Sequence, residues 1–342
     1  MNMMKAAVLV EPGRFVVEDK PIPVFAANEV LVKVLRTGIC GTDIHIFHGN
    51  YALENLPMVP GHEFVGEVAD FGSDVSHLAV GQKCLVDINI GCGHCYWCRR
   101  NEILNCPEME QVGISRDGAF AQYLVVPARL VIPAPQDAQD EVLALAEPVA
   151  CVVRGARKAG VKFGESVVIL GAGPMGNLHV QMMRLVGAAP IIVSDISPER
   201  CAMAKDVGAD IAVSDPSTLK QVVLDATDGR GADHVIESVG SLALYTQAVE
   251  LLRKGGHLAA FGIVGPDDEL PLNILKVVLE ENSIKGSVAG MGEDMHDALT
   301  LLMHNRFSTE RFTKACFPLS KIQEAFDSIS DRTGDLKTQI EF

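Results

Sequence analysis

From Ser166 onward the chain alternates short apolar runs with helical segments, and that alternation leaves few architectures open. SVVILGAG reads as a buried strand running into a turn, GPMGNLHVQMMRLVGA as a helix closed by Gly187, and PIIVSD as the next strand. The pattern continues through SPERCAMAKDVGA, DHVIESVG, YTQAVELLRKGG and HLAAFGIVG. Strands joined through helices pair in parallel, and a parallel sheet needs helices over both faces. The expected fold is α/β, with a doubly wound parallel sheet spanning 147–290.

Gly171, Gly173 and Gly176 form G-x-G-x-x-G where the first of these strands meets its helix. The string alone is a weak signal. In this position glycines allow a tight turn and bring backbone N–H groups, at a helix N-terminus, close to a pyrophosphate. About twenty residues on, the second strand ends at Asp195, whose carboxylate can accept hydrogen bonds from both ribose hydroxyls of NAD and would repel a 2′-phosphate. Arg200 is placed either to meet such a phosphate or to stack on the adenine. The expected cofactor is NAD rather than NADP.

The residues before this region follow a different pattern. KAAVLV, EVLVKVL, FVGEVADFG, KCLVDI and FAQYLVV are short strands separated by Pro, Gly and Asp turns. After Gly290 come a helix around MHDALTLLMHN, a strand in TKACFPL, a helix in SKIQEAFDSISD and a final KTQIEF, closer in character to the front than to the middle. A chain of 342 residues is long for one core. Two domains are expected: a β-rich one, discontinuous over 1–146 and 291–342, and the doubly wound one over 147–290.

Within the β-rich part, Cys92, Cys95, Cys98 and Cys106 crowd into CGHCYWCRRNEILNC. Four thiolates at this spacing make a filled tetrahedral shell for Zn²⁺, in a lobe over about 91–107. Disulfides are the weaker reading, because cysteines two residues apart are awkward to bridge. The other five cysteines, Cys40, Cys84, Cys151, Cys201 and Cys316, are scattered as in a reducing compartment. The N-terminal run meets acidic residues too soon for a signal peptide, and no apolar run reaches membrane-spanning length, so a cytoplasmic location is expected. A net charge of -15 argues against nucleic acid and anionic membranes as partners.

Cys40 in GICGTDIH, with His62 and Glu63 in PGHEFVG, offers a second and incomplete ligand set. A shell that the protein leaves open keeps Zn²⁺ accessible to water or substrate. A nicotinamide cofactor needs something to polarise a carbinol or carbonyl oxygen, and an open zinc does this by lowering the pKa of a bound hydroxyl.

CGTD, GHE, the four-cysteine lobe and GAGPMG, in this order, resemble the zinc-containing medium-chain dehydrogenases over essentially the whole chain. The resemblance implies a GroES-like catalytic domain, a Rossmann domain and two zinc ions, one catalytic and one structural. GHE and AEPVACVVRG are similar to the polyol branch and to threonine and butanediol dehydrogenases. By this resemblance Cys40, His62 and Glu63 bind zinc, and Glu147 is either an exchangeable fourth ligand or the partner of a zinc-bound water. Cys151 falls where alcohol dehydrogenases place a ligand, but a buried core thiol is the favoured reading. Pro148 suits a first helical position, which would make Glu147 the N-cap.

The resemblance further implies that Thr42 and His45 relay a proton, that Phe47 and Tyr51 line a substrate pocket, and that Pro174, Met175, Val239 and Ile263 join the cofactor site. It implies oxidation of a secondary alcohol of a polyol or sugar alcohol to the ketone, with L-threonine or 2,3-butanediol as the alternative substrate. Homo-oligomers formed through edge strands near Ser287 are expected, a tetramer before a dimer. Sorbitol dehydrogenases hold the polyol with an Arg-Tyr pair where this chain has Ala289 and Gly290, so sorbitol itself is a poor match. A non-catalytic NAD-binding sensor or structural protein would have no need of Cys40, His62, Glu63 and the relay pair.

Overall fold

The computed structural model describes residues 2–329 and 334–342. The chain divides into two compact units, Met1–Ala150 with Gly290–Asn305 and Thr309–Phe342, and Cys151–Ala289 with Arg306–Ser308.

In the first unit β1 (Met3–Glu11) and β2 (Arg14–Pro21) pair as an antiparallel hairpin. β3 (Glu29–Gly38) follows, then helix α1 (Gly41–Phe47), β4 (Glu63–Phe71) and β5 (Lys83–Val86). In β3 the alternate residues Val30, Val32 and Val34 are at most 1% exposed, while Lys33 faces solvent. β-Branched residues at period two fill a half-buried sheet face in this way. β6 (Asn89–Ile90) and β7 (Glu110–Gln111) pair at the base of the cysteine loop, which carries α2 (Tyr96–Arg99). β8 (Tyr123–Pro127) pairs with β3 and β9 (Val131–Pro133) with β5. Helix α3 (Asp140–Leu143) ends this stretch.

Helix α4 (Ala146–Ala159) carries the boundary between the units. It begins one residue before Glu147, so that acid occupies the first turn rather than the N-cap position, and Pro148 lies inside the first turn. A first-turn proline is still tolerated there, because the N–H groups of that turn have no intrahelical partner.

The second unit is a six-stranded parallel sheet in the order β12-β11-β10-β13-β14-β15. Its elements are β10 (Val167–Leu170), α5 (Pro174–Val186), β11 (Ile191–Ser194), α6 (Pro198–Asp206), β12 (Ile211–Val213) and α7 (Leu219–Ala226). β13 (Ala232–Glu237), α8 (Leu242–Leu251), β14 (Leu252–Ala260), α9 (Ile274–Glu280) and β15 (Ser283–Gly286) complete it. The expected doubly wound fold is present, and the central strands are buried on both faces, with Val167, Val168 and Ile169 all at 0% exposure. Helix α8 stops short of the expected YTQAVELLRKGG because the sheet takes up the chain at Leu252; the two glycines that follow are poor helix formers in any case.

The chain then returns to the first unit through α10 (Glu293–Met303), β16 (Ala315–Pro318), α11 (Ile322–Asp327) and β17 (Thr338–Glu341). β17 joins β3, completing the order β16-β17-β3-β4-β5-β9. The helix expected over SKIQEAFDSISD ends at Asp327, and its last two residues lie outside the described residues. Phe326 of α11 packs against Phe15, Phe47 and Phe120 with ring centroids 4.8, 5.0 and 5.9 Å away. This aromatic cluster anchors the returning segment to the hairpin and to α1. Among the described residues no helix is long and apolar enough to cross a membrane.

Candidate active site

The glycine turn of the second unit is a cradle built by exclusion of side chains. A Cβ on Gly176 would lie 1.9 Å from the Gly171 carbonyl oxygen, so α5 approaches β10 closely only because this residue is glycine. A Cβ on Gly173 would meet nothing nearer than an Arg200 nitrogen at 4.0 Å, which leaves open space at the start of α5. Pro174 sits at the first helical position, where its missing N–H is harmless, and Met175 follows in the same turn.

Asp195 braces this turn as well as facing it. One carboxylate oxygen accepts from the Ala172 N–H at 2.8 Å and the other from the Ser197 N–H at 2.9 Å. A second lone pair on each oxygen remains for ribose hydroxyls. Arg200 reaches within 4.0 Å of Asp195 while half exposed. Val239 lies against Gly171, and the Ile263 carbonyl lies against Gly240, so the two exposed side chains come from neighbouring loops at the strand ends. The residues present fit a dinucleotide.

In the first unit Cys40, His62 and Glu63 bring one ligand atom each to within 4.8 Å of one another. Cys40 precedes α1, and the other two stand at the start of β4. Asp43, three residues after Cys40, was not singled out in the sequence. It is 1% exposed and accepts from the Cys40 N–H at 2.8 Å and the Gly61 N–H at 3.3 Å. Its Oδ1 also faces His62 Nδ1 at 3.3 Å, which orients the ring and leaves Nε2 as the nitrogen available to a metal. A polar residue at the third position of a short helix after a candidate ligand is the signal that could have marked it.

Lys337, from the segment entering β17, was also missed. Its ammonium pairs with Glu63 Oε2, and the two side chains are 4% and 1% exposed. Burial works against its charge, but Glu63, Cys40 and Glu147 together hold its pKa above the usual lysine value. Burial and then the Glu63 charge push the Cys40 thiol upward. Burial opposes charging of His62, but Asp43 and Cys40 outweigh it and raise its pKa well above the usual value. Glu63 Oε1 is buried without a hydrogen-bond partner among the described residues. A thiol, an imidazole and a carboxylate oxygen that converge out of water are suited to a borderline dication.

Glu147 is 7% exposed and near enough to act on Lys337, although it is not in the group of three. Cys151 lies one turn further along α4 and is 8% exposed. Thr42 and His45, three residues apart on α1, share a helix face, the first half-buried and the second exposed. Phe47 is a correction to the expected pocket. Its ring is 5% exposed because it stacks on Phe15 at 5.7 Å and packs on Phe326, so the core takes it up. Tyr51 is 41% exposed.

Among the described residues no cysteine is in a disulfide. The sulfurs of Cys92, Cys95, Cys98 and Cys106 lie within 4.8 Å of one another, with Cys92 and Cys98 at 3.9 Å. Four sulfurs about 2.3 Å from a tetrahedral zinc would stand about 3.8 Å apart, so the set fits that ion. Backbone N–H groups of Cys92 and Cys98 already point at the sulfurs of Cys106 and Cys95, at 3.5 and 3.4 Å. Arg129 ties the loop to its unit through the Gly91 carbonyl at 2.8 Å.

A dinucleotide cradle and an open metal group on one chain define a metal-dependent dehydrogenase. The profile of the alcohol dehydrogenase GroES-like domain matches residues 26–136, and that of the zinc-binding dehydrogenase domain matches 174–304. An L-threonine 3-dehydrogenase of Mesorhizobium japonicum is 37% identical over 83% of each chain. A sorbitol dehydrogenase of Halalkalibacterium halodurans is 32% identical over 95% of this chain and 96% of its own. A Sinorhizobium meliloti 1021 structure bound to NADP superposes with a TM-score of 0.92 over 100% of both chains, at 31% identity. The chain belongs to the zinc-containing medium-chain dehydrogenases.

Proposed function

We propose that this enzyme oxidises a secondary alcohol of a polyol or sugar alcohol to the ketone, with NAD as hydride acceptor. The observation that carries the reading is the convergence of Cys40, His62 and Glu63 in a chain that also holds the Gly171–Asp195 cradle. Cys40, His62 and Glu63 would hold the catalytic zinc, with Glu147 as an exchangeable ligand or as the partner of a water there. When bound, that zinc would supply the Lewis acidity that makes a carbinol hydroxyl acidic. The chain's own part is to orient the ligands through Asp43, keep Glu63 paired through Lys337, and move a proton. Thr42 would accept it from the substrate hydroxyl while giving up its own hydroxyl proton, and His45, exposed on the same helix face, would release that proton to solvent. Tyr51 is the remaining candidate for substrate contact on this segment.

The substrate class is supported by the sorbitol dehydrogenase relative, which matches nearly end to end. Sorbitol itself fits poorly. Gly290 has no room for a side chain, because a Cβ there would lie 2.4 Å from that of Ala150, and Ala289 holds a left-handed φ of 46°. L-Threonine is the second reading, favoured by the Mesorhizobium relative. A panel of polyols, cyclitols and sugar acids against L-threonine and 2,3-butanediol, read as NADH absorbance, decides between them. Highest kcat/KM on a polyol supports the first reading, and highest on threonine replaces it with the second.

Asp195 favours NAD over NADP through ribose hydrogen bonds and repulsion of a 2′-phosphate. Hydrogen bonds to a charged group are worth about 1.5–3 kcal/mol, so Asp195→Ala should lower kcat/KM for NAD roughly ten- to hundredfold. Arg200 would then be free to meet a 2′-phosphate, so the preference over NADP should shrink in the same assay. A wild-type preference for NADP would overturn the assignment.

We further infer a homo-oligomer built on the free edge of the parallel sheet, a tetramer before a dimer. Among the described residues β15 pairs only with β14. Next to it α9 exposes Ile274, Leu275, Val278 and Leu279 at 64–72%, an apolar face of the kind a second copy would cover. Sedimentation should show an oligomer in the wild type and a smaller species for Leu279→Lys.

A further inference from the structure

The geometry of the cysteine loop points to a second ligand set outside the filled shell. We propose that Cys92, His94 and Glu108 form an exchange site through which the lobe's zinc enters and leaves. Their ligand atoms lie within 4.8 Å of one another. His94 and Glu108 are exposed, Cys92 is half-buried and Cys106 is buried, so the two sets run from solvent inward. His94 Nδ1 lies 3.0 Å from the Cys92 carbonyl oxygen, which can only accept. The ring therefore donates from Nδ1 and keeps its Nε2 lone pair for a cation.

Cys92 belongs to both sets. A cation can thus pass between them without losing this thiolate, exchanging two of the other cysteines for His94 and Glu108 one at a time and the third for water. A four-thiolate shell offers no vacant position, so an ion leaves it quickly only where an incoming donor replaces a departing sulfur. Neither His94 nor Glu108 has a place in the dehydrogenase chemistry, yet both flank the shell, one between its first two cysteines and one just after its last.

The proposal rests on the four cysteines holding zinc, and the test separates the two. The zinc-loaded enzyme is incubated with excess EDTA, quenched at intervals with iodoacetamide and digested. Alkylation of the peptide carrying Cys92, Cys95, Cys98 and Cys106 is then read by mass spectrometry, independently of the other metal site. His94→Ala and Glu108→Gln should each lose protection several times more slowly than wild type. After stripping, they should regain it on zinc addition more slowly by the same factor. Glu102→Gln, on the same loop, should behave as wild type. Unchanged rates overturn the proposal, and faster loss overturns it by making the two residues stabilisers of the shell. Immediate alkylation of all four cysteines in the untreated enzyme would remove the structural zinc and the exchange site with it.

Discussion

In the zinc-free enzyme Lys337→Met is expected to destabilise the first unit by about 3–5 kcal/mol, the usual consequence of removing one partner of a buried ion pair. The pair with Glu63 is almost fully out of water, at 4% and 1% exposure. Glu63 would be left with Cys40 near it and without its cation. Methionine fills the volume of the lysine stem but supplies no charge, so the loss is electrostatic rather than a cavity. A second change, Glu63→Gln, should return part of the stability, because it removes the charge that lost its partner. Chemical unfolding of the single and double variants measures this coupling. An unaltered transition in Lys337→Met would mean that the pair contributes nothing. The same variant should hold zinc more tightly, since Glu63 then has only the metal to compensate it. Zinc retained against a chelator reads that effect separately.

Gly176→Val should abolish dinucleotide binding. The new Cβ would fall 1.9 Å from the Gly171 carbonyl oxygen, a backbone atom that cannot swing aside as a side chain can. Helix α5 must then move off β10, and the N–H groups that face the pyrophosphate move with it. Overpacking of an ordinary core costs about 1–3 kcal/mol, and a backbone clash belongs at or above the upper end. Titration followed by NADH fluorescence should show no saturable binding, while zinc held in the first unit stays at the wild-type level. Saturable binding near wild-type affinity would show that the turn can widen.

What the sequence made legible was local. The four cysteines, the glycine turn and Asp195 carry their chemistry within a few dozen residues, and the structure brings each set together much as its spacing implies. Contacts across the chain were not legible. Lys337 reaches Glu63 because β17 is inserted beside β3, and a lone lysine near a C-terminus carries no sign of that. Phe47 failed in the other direction. Proximity to Cys40 suggested a pocket, but the hairpin and α11 bring Phe15 and Phe326 against its ring and bury it. Gly290 looked like a mere departure from the polyol branch. In the fold it is a packing requirement, because Ala150 occupies the space of any side chain there and Asn89 donates to its carbonyl at 2.9 Å.

Asp43 accepts from the N–H of Cys40 and faces the ring of His62 through a single carboxylate, so one acid ties together the two segments that supply these side chains. Loss of that one acid would loosen both side chains at once, a double effect from a single substitution. Selection of an ion falls to donor chemistry, and a cysteine–histidine–glutamate set separates the late first-row dications only weakly. For such a donor set metal availability bears on which ion is taken up, alongside geometry and ligand type.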